Sequence, residues 1–205
     1  MRYSVRQKGE SRSFPTDDPF LKNASSDETD VVIYLGATPD FSLSKKAVLI
    51  ELGTECLIEC IDETNPTCVN AVGFCRYRNG ADPPSQLIEI VRLPSTQKDA
   101  VEAAKSVFEA AGFIVVVCDD QPGRIIDRLL RPKYNAALRF LDEGLATAED
   151  IDTTCRLGLG YPSGPIERVV RGGLAYHYDV TQTLFETFGT AAFAPPRRAV
   201  AAKRR

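Results

Sequence analysis

The chain has 205 residues, enough for one domain or two small ones and for a sizeable buried core. Its 25 basic and 28 acidic residues and 43% hydrophobic content describe an ordinary soluble protein, with no basic excess pointing to nucleic acid. No apolar run reaches the ~18 residues of a membrane span, and the start MRYSVRQKGESRS is charged without the apolar stretch of a secretion signal, so a cytoplasmic location is expected. Residues 1–28 are rich in Ser, Asp, Lys and Pro without periodicity and read as an extended or mobile leader. The folded part starts near Asp30. VVIYL (31–35) is a short apolar run of strand type, followed by a helix expected from Ser42 to Leu52 on the spacing of Leu43, Ala47 and Ile50. Further strands are expected at CLIECI (56–61), AVGFCRY (71–77) and QLIEIVRL (86–93). Thr96 and Asp99 form an [ST]-x-x-[DE] capping box for a helix in which Val101, Ala104, Val107, Phe108 and Ala111 recur until Gly112. IVVVC (114–118) then reads as a fully buried strand, and strands alternating with helices argue for a sheet with at least a partly parallel core.

After Gln121-Pro122-Gly123 the period changes. From Arg124 to Glu143 the residues Ile126, Leu129, Leu130, Ala137, Phe140 and Leu141 share one helical face, and Gly144 ends it. Pro132 lies inside this helix, a defect of ~3 kcal/mol unless packing offsets it. A short polar helix capped by Thr147 follows, and then RLGLGYPSGP (156–165), whose Gly158, Gly160 and Gly164 raise the question of a nucleotide loop. The spacing is G-x-G-x-x-x-G and no strand feeds the turn, so the stretch reads as an inter-helical connection with Pro162 as a stop. The rest is helical to about Phe188 and ends in a basic tail. The six cysteines, Cys56, Cys60, Cys68, Cys75, Cys118 and Cys155, include no C-x-x-C pair, and with the single histidine, His177, they make a poor zinc set; reduced, mostly buried thiols are expected. His177 itself reads as a helix-surface or packing residue.

The stretch GRIIDRLLRPKYNAALRFLDEGLATAEDIDTTCRLGLGYPSGPIE (123–167) resembles the C-terminal helical domain of NAD-dependent 3-hydroxyacyl-CoA dehydrogenases. The likeness includes the internal proline, the D-E-G turn, the T-x-E-D-I-D cap, the G-L-G-Y-P-x-G-P connection and FAPP at 193–196. Upstream, PPSQLIEIVRLPSTQKDAVEAAKSVFEAAGFIVVVCDDQPG (83–123) resembles the last part of the family's Rossmann domain, and TDVVIYLGATPDFSLSKKAVLIEL (29–52) its middle strand and helix. The implied fold is α/β plus all-α: a leader (1–28), a truncated, reduced Rossmann-like sheet domain (29–120), and a 3-hydroxyacyl-CoA dehydrogenase-type helical domain (121–205). This is the arrangement of the second half of some long 3-hydroxybutyryl-CoA dehydrogenases. The resemblance implies acyl-CoA as ligand and a homodimer built through the helical domain; the charge balance and the lack of a long apolar run lead to the expectation of no nucleic acid and no membrane as partners. The basic residues Arg197, Arg198, Lys203, Arg204 and Arg205 then read either as a solvated, frayed end or as a group steering CoA phosphates.

The family's cofactor signature is missing. No G-x-G-x-x-G occurs, and the roughly thirty residues before Asp30 are too few for a ~30-residue β-α-β unit and its next strand, so NAD is implied by resemblance only and no tightly bound cofactor is expected. In the family a histidine acts as general base and a glutamate on the next strand orients it; Glu89 matches that glutamate. The place of the histidine, at a strand end reading H-F-F-N-P, is Cys75-Arg76-Tyr77-Arg78-Asn79 here, with an apparent two-residue insertion before Pro83. Cys75 or Tyr77 takes its place, and a thiol titrating near about 8.5 or a phenol near about 10 is a worse base at neutral pH. Asp127 stands where the family has a substrate-contacting asparagine. Read without the family, Glu89 is a strand residue facing solvent or paired with Arg92, and Cys75 a small buried hydrophobe. Two functions follow: an acyl-CoA- or partner-binding family member with weak or no hydride transfer, or a working dehydrogenase whose NAD is bound either by a surface without sequence signature or with a second chain that supplies the missing β-α-β unit.

Overall fold

The computed structural model describes residues 2–27, 29–41, 44–62 and 65–205. It contains two compact units, Met1–Arg78 with Pro84–Arg124, and Asn79–Pro83 with Ile125–Arg205. The first is a six-stranded sheet in sequential order: β1 (Tyr3–Gln7), β2 (Val31–Leu35), β3 (Ala47–Glu51), β4 (Ala71–Arg76), β5 (Leu87–Arg92) and β6 (Ile114–Asp119). The strands β1 to β4 run parallel, β5 is antiparallel to β4, and β6 is parallel to β5. Among its described residues are the α-helices α1 (Pro19–Lys22) and α2 (Lys98–Ala110). One sheet face, with Ile33, Leu49, Val72, Phe74, Ile88 and Ile90, packs on Ala100, Ala104, Val107 and Phe108 of α2. The other face, with Val32, Tyr34, Val48, Ile50 and Val91, packs on Leu52, Leu57 and Leu93.

Several local expectations fail for identifiable reasons. Residues 1–28 are no separate leader: Tyr3–Gln7 is paired along its length with β2, and Phe14 and Phe20 are in the core. The segment expected as a helix from Ser42 holds strand β3 instead, with Ser42 and Leu43 outside the described residues. Ala47–Ile50 are all buried, as in any strand covered on both faces, and such a run carries no alternation to distinguish it from a helix. CLIECI is not a strand; Leu57–Cys60 is a 3-10 turn whose first amides, of Leu57 and Ile58, donate to Asp120 at 2.8 and 3.0 Å. Thr96 makes no capping box, because its hydroxyl accepts from Leu93 N and donates to Ala71 O, leaving Gln97 as an N-cap without a side-chain bond. β6 is an edge strand rather than a fully buried one, and Ile114 is 66% exposed.

The second unit consists of α3 (Ile126–Asp142), α4 (Ala148–Leu159), α5 (Pro165–Gly172), α6 (Leu174–Phe188) and α7 (Arg197–Lys203). Tyr134 and Leu138 of α3, Ile151 of α4 and Ile166 and Val169 of α5 form its main core. Pro132 is inside α3, and Gly144, in the left-handed region at φ +72°, follows its end. The basic tail is ordered as α7, where Arg198 pairs with Asp142 and Lys203 with Asp179, each at 2.7 Å. The short segment Asn79–Pro83 also belongs here. Asn79 donates to the Arg168 carbonyl at 3.2 Å, Asp82 pairs with Arg171 at 3.1 Å, and Gly80, at φ +60°, lies so close under the Arg171 carbonyl that no side chain fits.

Candidate active site

The antiparallel junction of β4 and β5 sets Cys75 directly across from Glu89. Opposite residues in such a pair have Cβ atoms about 4.5–5.5 Å apart, so the two expected site residues are neighbours on one sheet face. Glu89 is 3% exposed, which corrects the solvent-facing alternative, and Arg92 pairs instead with Asp119 at 3.0 Å. On the other side of Glu89, β6 contributes Cys118, two places beyond the Val116 that registers with Glu89. Burial, and then the Glu89 charge, pushes the Cys118 thiol up to about 11. The carboxyl of Glu89 therefore sits among thiols, Cys75 half-buried on one side and Cys118 on the other. Such a group can orient a neighbouring donor and hold a proton, but no imidazole is beside it in this sheet.

The wall near Cys118 is built by two residues that no sequence pattern announces. Asp120 accepts the two amides of the 57–58 turn, and Arg124 donates to the carbonyls of Gly53 and Glu55. Arg124 does so from a backbone at φ +47°, unusual for a residue with a side chain. These ties hold residues 53–60 against the sheet face that carries Val91 and Cys118. Burial also raises the Cys56 and Cys60 thiols of this segment to about 11, so none of the three is primed as a nucleophile.

In the helical unit Asp127 occupies the first turn of α3, where Arg131 grips one of its oxygens at 2.8 Å. Arg131 continues to His177 Nδ1 at 3.2 Å, and His177 Nε2 meets Asn135 Oδ1 at 2.8 Å. These partners assign the proton to Nε2, and the imidazole is neutral: burial, then the Arg131 charge, lowers it to about 3. His177 is 0% exposed, so it is a packing residue and not a surface one, and both ring nitrogens are committed. The i, i+4 spacing of Asp127, Arg131 and Asn135 is the signal that sequence reading passed over.

The glycine-rich connection serves helix termini. Gly160, at φ +70°, ends α4, and Gly164 precedes α5. The Ile166 and Glu167 amides at the start of α5, the groups a phosphate would need, already donate to Asp152 at 2.7 and 2.9 Å. Nor does β1 lead into a glycine turn and helix, since the next helix, α1, starts at Pro19. The residues present thus do not fit a dinucleotide at either place. Among the described residues no group of His, Cys, Asp and Glu could hold a metal, and no helix is long and apolar enough to cross a membrane.

Comparison with known proteins matches residues 123–204 to the family described as 3-hydroxyacyl-CoA dehydrogenase, C-terminal domain. The human mitochondrial hydroxyacyl-coenzyme A dehydrogenase is 40% identical over 92 residues, covering 45% of this chain and 29% of that protein. The 3-hydroxyadipyl-CoA dehydrogenase of Escherichia coli is 30% identical over 156 residues, 70% of this chain and 33% of that protein. This chain therefore spans about a third of the curated relatives it matches. Among solved structures, the (S)-3-hydroxybutyryl-CoA dehydrogenase of Ralstonia eutropha shares the fold with a TM-score of 0.74 at 22% identity, over 85% of this chain and 66% of that one.

Proposed function

We propose, since this chain belongs to the 3-hydroxyacyl-CoA dehydrogenase family, that it binds acyl-CoA and by itself transfers hydride weakly or not at all. The observation that carries this reading is the residue facing Glu89: a thiol, Cys75, and no imidazole. In this reading Glu89 keeps its orienting role while its partner is a poor proton acceptor at neutral pH. Asp127, with one oxygen held by Arg131, can accept hydrogen bonds but cannot donate to a substrate carbonyl as an amide would. The purified chain should bind acetoacetyl-CoA by calorimetry, yet reduce it with NADH at least ~100-fold more slowly than a complete family member, since a general base contributes 10²–10⁴-fold. Robust turnover that disappears in Glu89→Gln would overturn the catalytic half of this reading, and absent binding heat the other half.

The helical unit is proposed to form a homodimer. This reading is supported by the resemblance and by Leu129, Leu145, Leu157 and Leu159, large apolar side chains that are 73%, 69%, 83% and 62% exposed in the single chain. A two-fold contact needs one self-complementary patch and more than ~1,000 Å² in total. Light scattering should give twice the 22.5 kDa chain mass. A monomer persisting at high micromolar concentration would refute the dimer.

A further inference from the structure

Ligands of open α/β sheets take the crevice outside the carboxyl ends of the parallel strands. Here the chain itself runs along that edge. On leaving β1, Lys8 donates its amide to Leu35, the last residue of β2, at 2.9 Å. Ser11 Oγ and Ser13 N then both bond Oε1 of Glu51, the last residue of β3, at 2.7 and 2.8 Å. Arg76, the last residue of β4, gives its amide to Ser13 Oγ at 3.3 Å and Nη1 to the Ser13 carbonyl at 3.1 Å. Both ends of the crossing are fixed. Gly36, at φ +63°, leaves room for no side chain above the Lys8 carbonyl, and Phe14, 0% exposed, inserts among Phe20, Phe74, Phe108 and Phe113.

Ser11, Ser13 and Phe14 are buried while Lys8, Gly9, Glu10 and Arg12 are exposed, so the crossing is anchored on the strand ends by its inner residues and keeps its outer side in water. Its hydrogen bonds go to the terminal residues of three successive strands, the positions from which a nucleotide site would be built. We propose that Lys8–Phe14 is a built-in strap filling the nucleotide crevice of this sheet, so that a dinucleotide can enter only by displacing it. This deepens the hydride-transfer half of the reading above, on which it rests, and is independent of the acyl-CoA half. It also gives that half a cause beyond the missing glycine loop: the place is taken.

Hydrogen exchange of the full chain, read by mass spectrometry with and without millimolar NADH and alongside nicotinamide fluorescence, tests the strap. The amides of Lys8, Ser13 and Phe14 should exchange at least ~100-fold more slowly than an unstructured peptide, and NADH should change neither their rates nor its own fluorescence. Glu51→Ala should speed Ser13 exchange ~10-fold or more while amides within β2 and β3 keep their protection. Strap amides exchanging like free peptide in the unmodified chain would overturn the proposal, as would NADH binding that leaves them protected. NADH binding that exposes them would uphold the strap and overturn instead the expectation that no cofactor is tightly bound. Should Glu51→Ala unprotect the whole sheet, Ser11→Ala supplies the same comparison, and unchanged Ser13 and Phe14 rates in it would count against the strap.

Discussion

Replacing Arg76 with methionine should destabilise the sheet unit by about 3–5 kcal/mol, the cost of leaving a buried charge without its partner. The Arg76 side chain is 5% exposed, paired at 2.7 Å with Asp18, whose side chain is 11% exposed. Its Nε and Nη1 also donate to the Ser85 and Ser13 carbonyls, and the guanidinium lies 4.6 Å from the Phe113 ring centre and 5.4 Å from that of Phe14. Methionine fills much of the volume but leaves the Asp18 charge without its cation and the Ser13 and Ser85 carbonyls without this donor. Asp18→Asn keeps the cap on Phe20 N and removes the charge, so the double variant should be markedly more stable than the sum of the two single losses. Urea unfolding of the four proteins measures this. A loss below about 1 kcal/mol in Arg76→Met would show that the pair is not what holds the aromatic cluster together.

His177 should make stability fall with pH across an unusually wide window. Folded, the imidazole titrates near 3; unfolded, near its ordinary 6.5. As pH drops below 6.5 the unfolded chain takes up a proton that the folded chain refuses, so the folded state loses about 1.4 kcal/mol per pH unit until the folded value is reached. The contribution is fully present above 6.5 and lost on acidification, the reverse of a histidine that gains an acidic partner. Because carboxylates titrate in the same range, the comparison is with His177→Gln, whose stability should fall by roughly 2–3 kcal/mol less between pH 6 and pH 4. The chain has a single histidine, so its ring resonances can be followed directly and should stay those of the neutral form to below pH 4.5. Parallel stability curves, or a ring titrating near 6, would contradict the buried Asp127–Arg131–His177–Asn135 chain.

The helical unit was the more legible part of the sequence because its signals are local. Thr147 caps α4 by accepting from Asp150 N, Gly160 and Gly164 mark helix ends, and Pro165 opens α5, each within a turn of where it acts. The sheet unit depends on partners far apart in the chain. The 57–60 turn takes its cap from Asp120, 63 residues away, and nothing in CLIECI itself announces that. The first 28 residues look polar, and their place in the core rests on Tyr3, Phe14 and Phe20, too widely spaced to form a period. The site was half legible. The resemblance points to Glu89 and Cys75 as candidates, but that they face one another follows from the register of β4 on β5, which no pattern in either strand specifies.

The segment Asn79–Pro83 bears on how this chain can be divided. Its amide, carboxylate and glycine contacts all go to the end of α5, while the residues on either side of it belong to the sheet unit. The backbone therefore passes between the units at 78–79, 83–84 and 124–125, and the helical unit is not a contiguous stretch of sequence. A fragment beginning at Ile125 would carry α3 to α7 yet leave the Arg168 carbonyl and Arg171 without their partners, and the remaining piece would keep a loop cut off from what it packs on. Gene fusions, truncations and domain exchanges that treat residue 124 as a clean border divide a structure that the chain has sewn together at a second place.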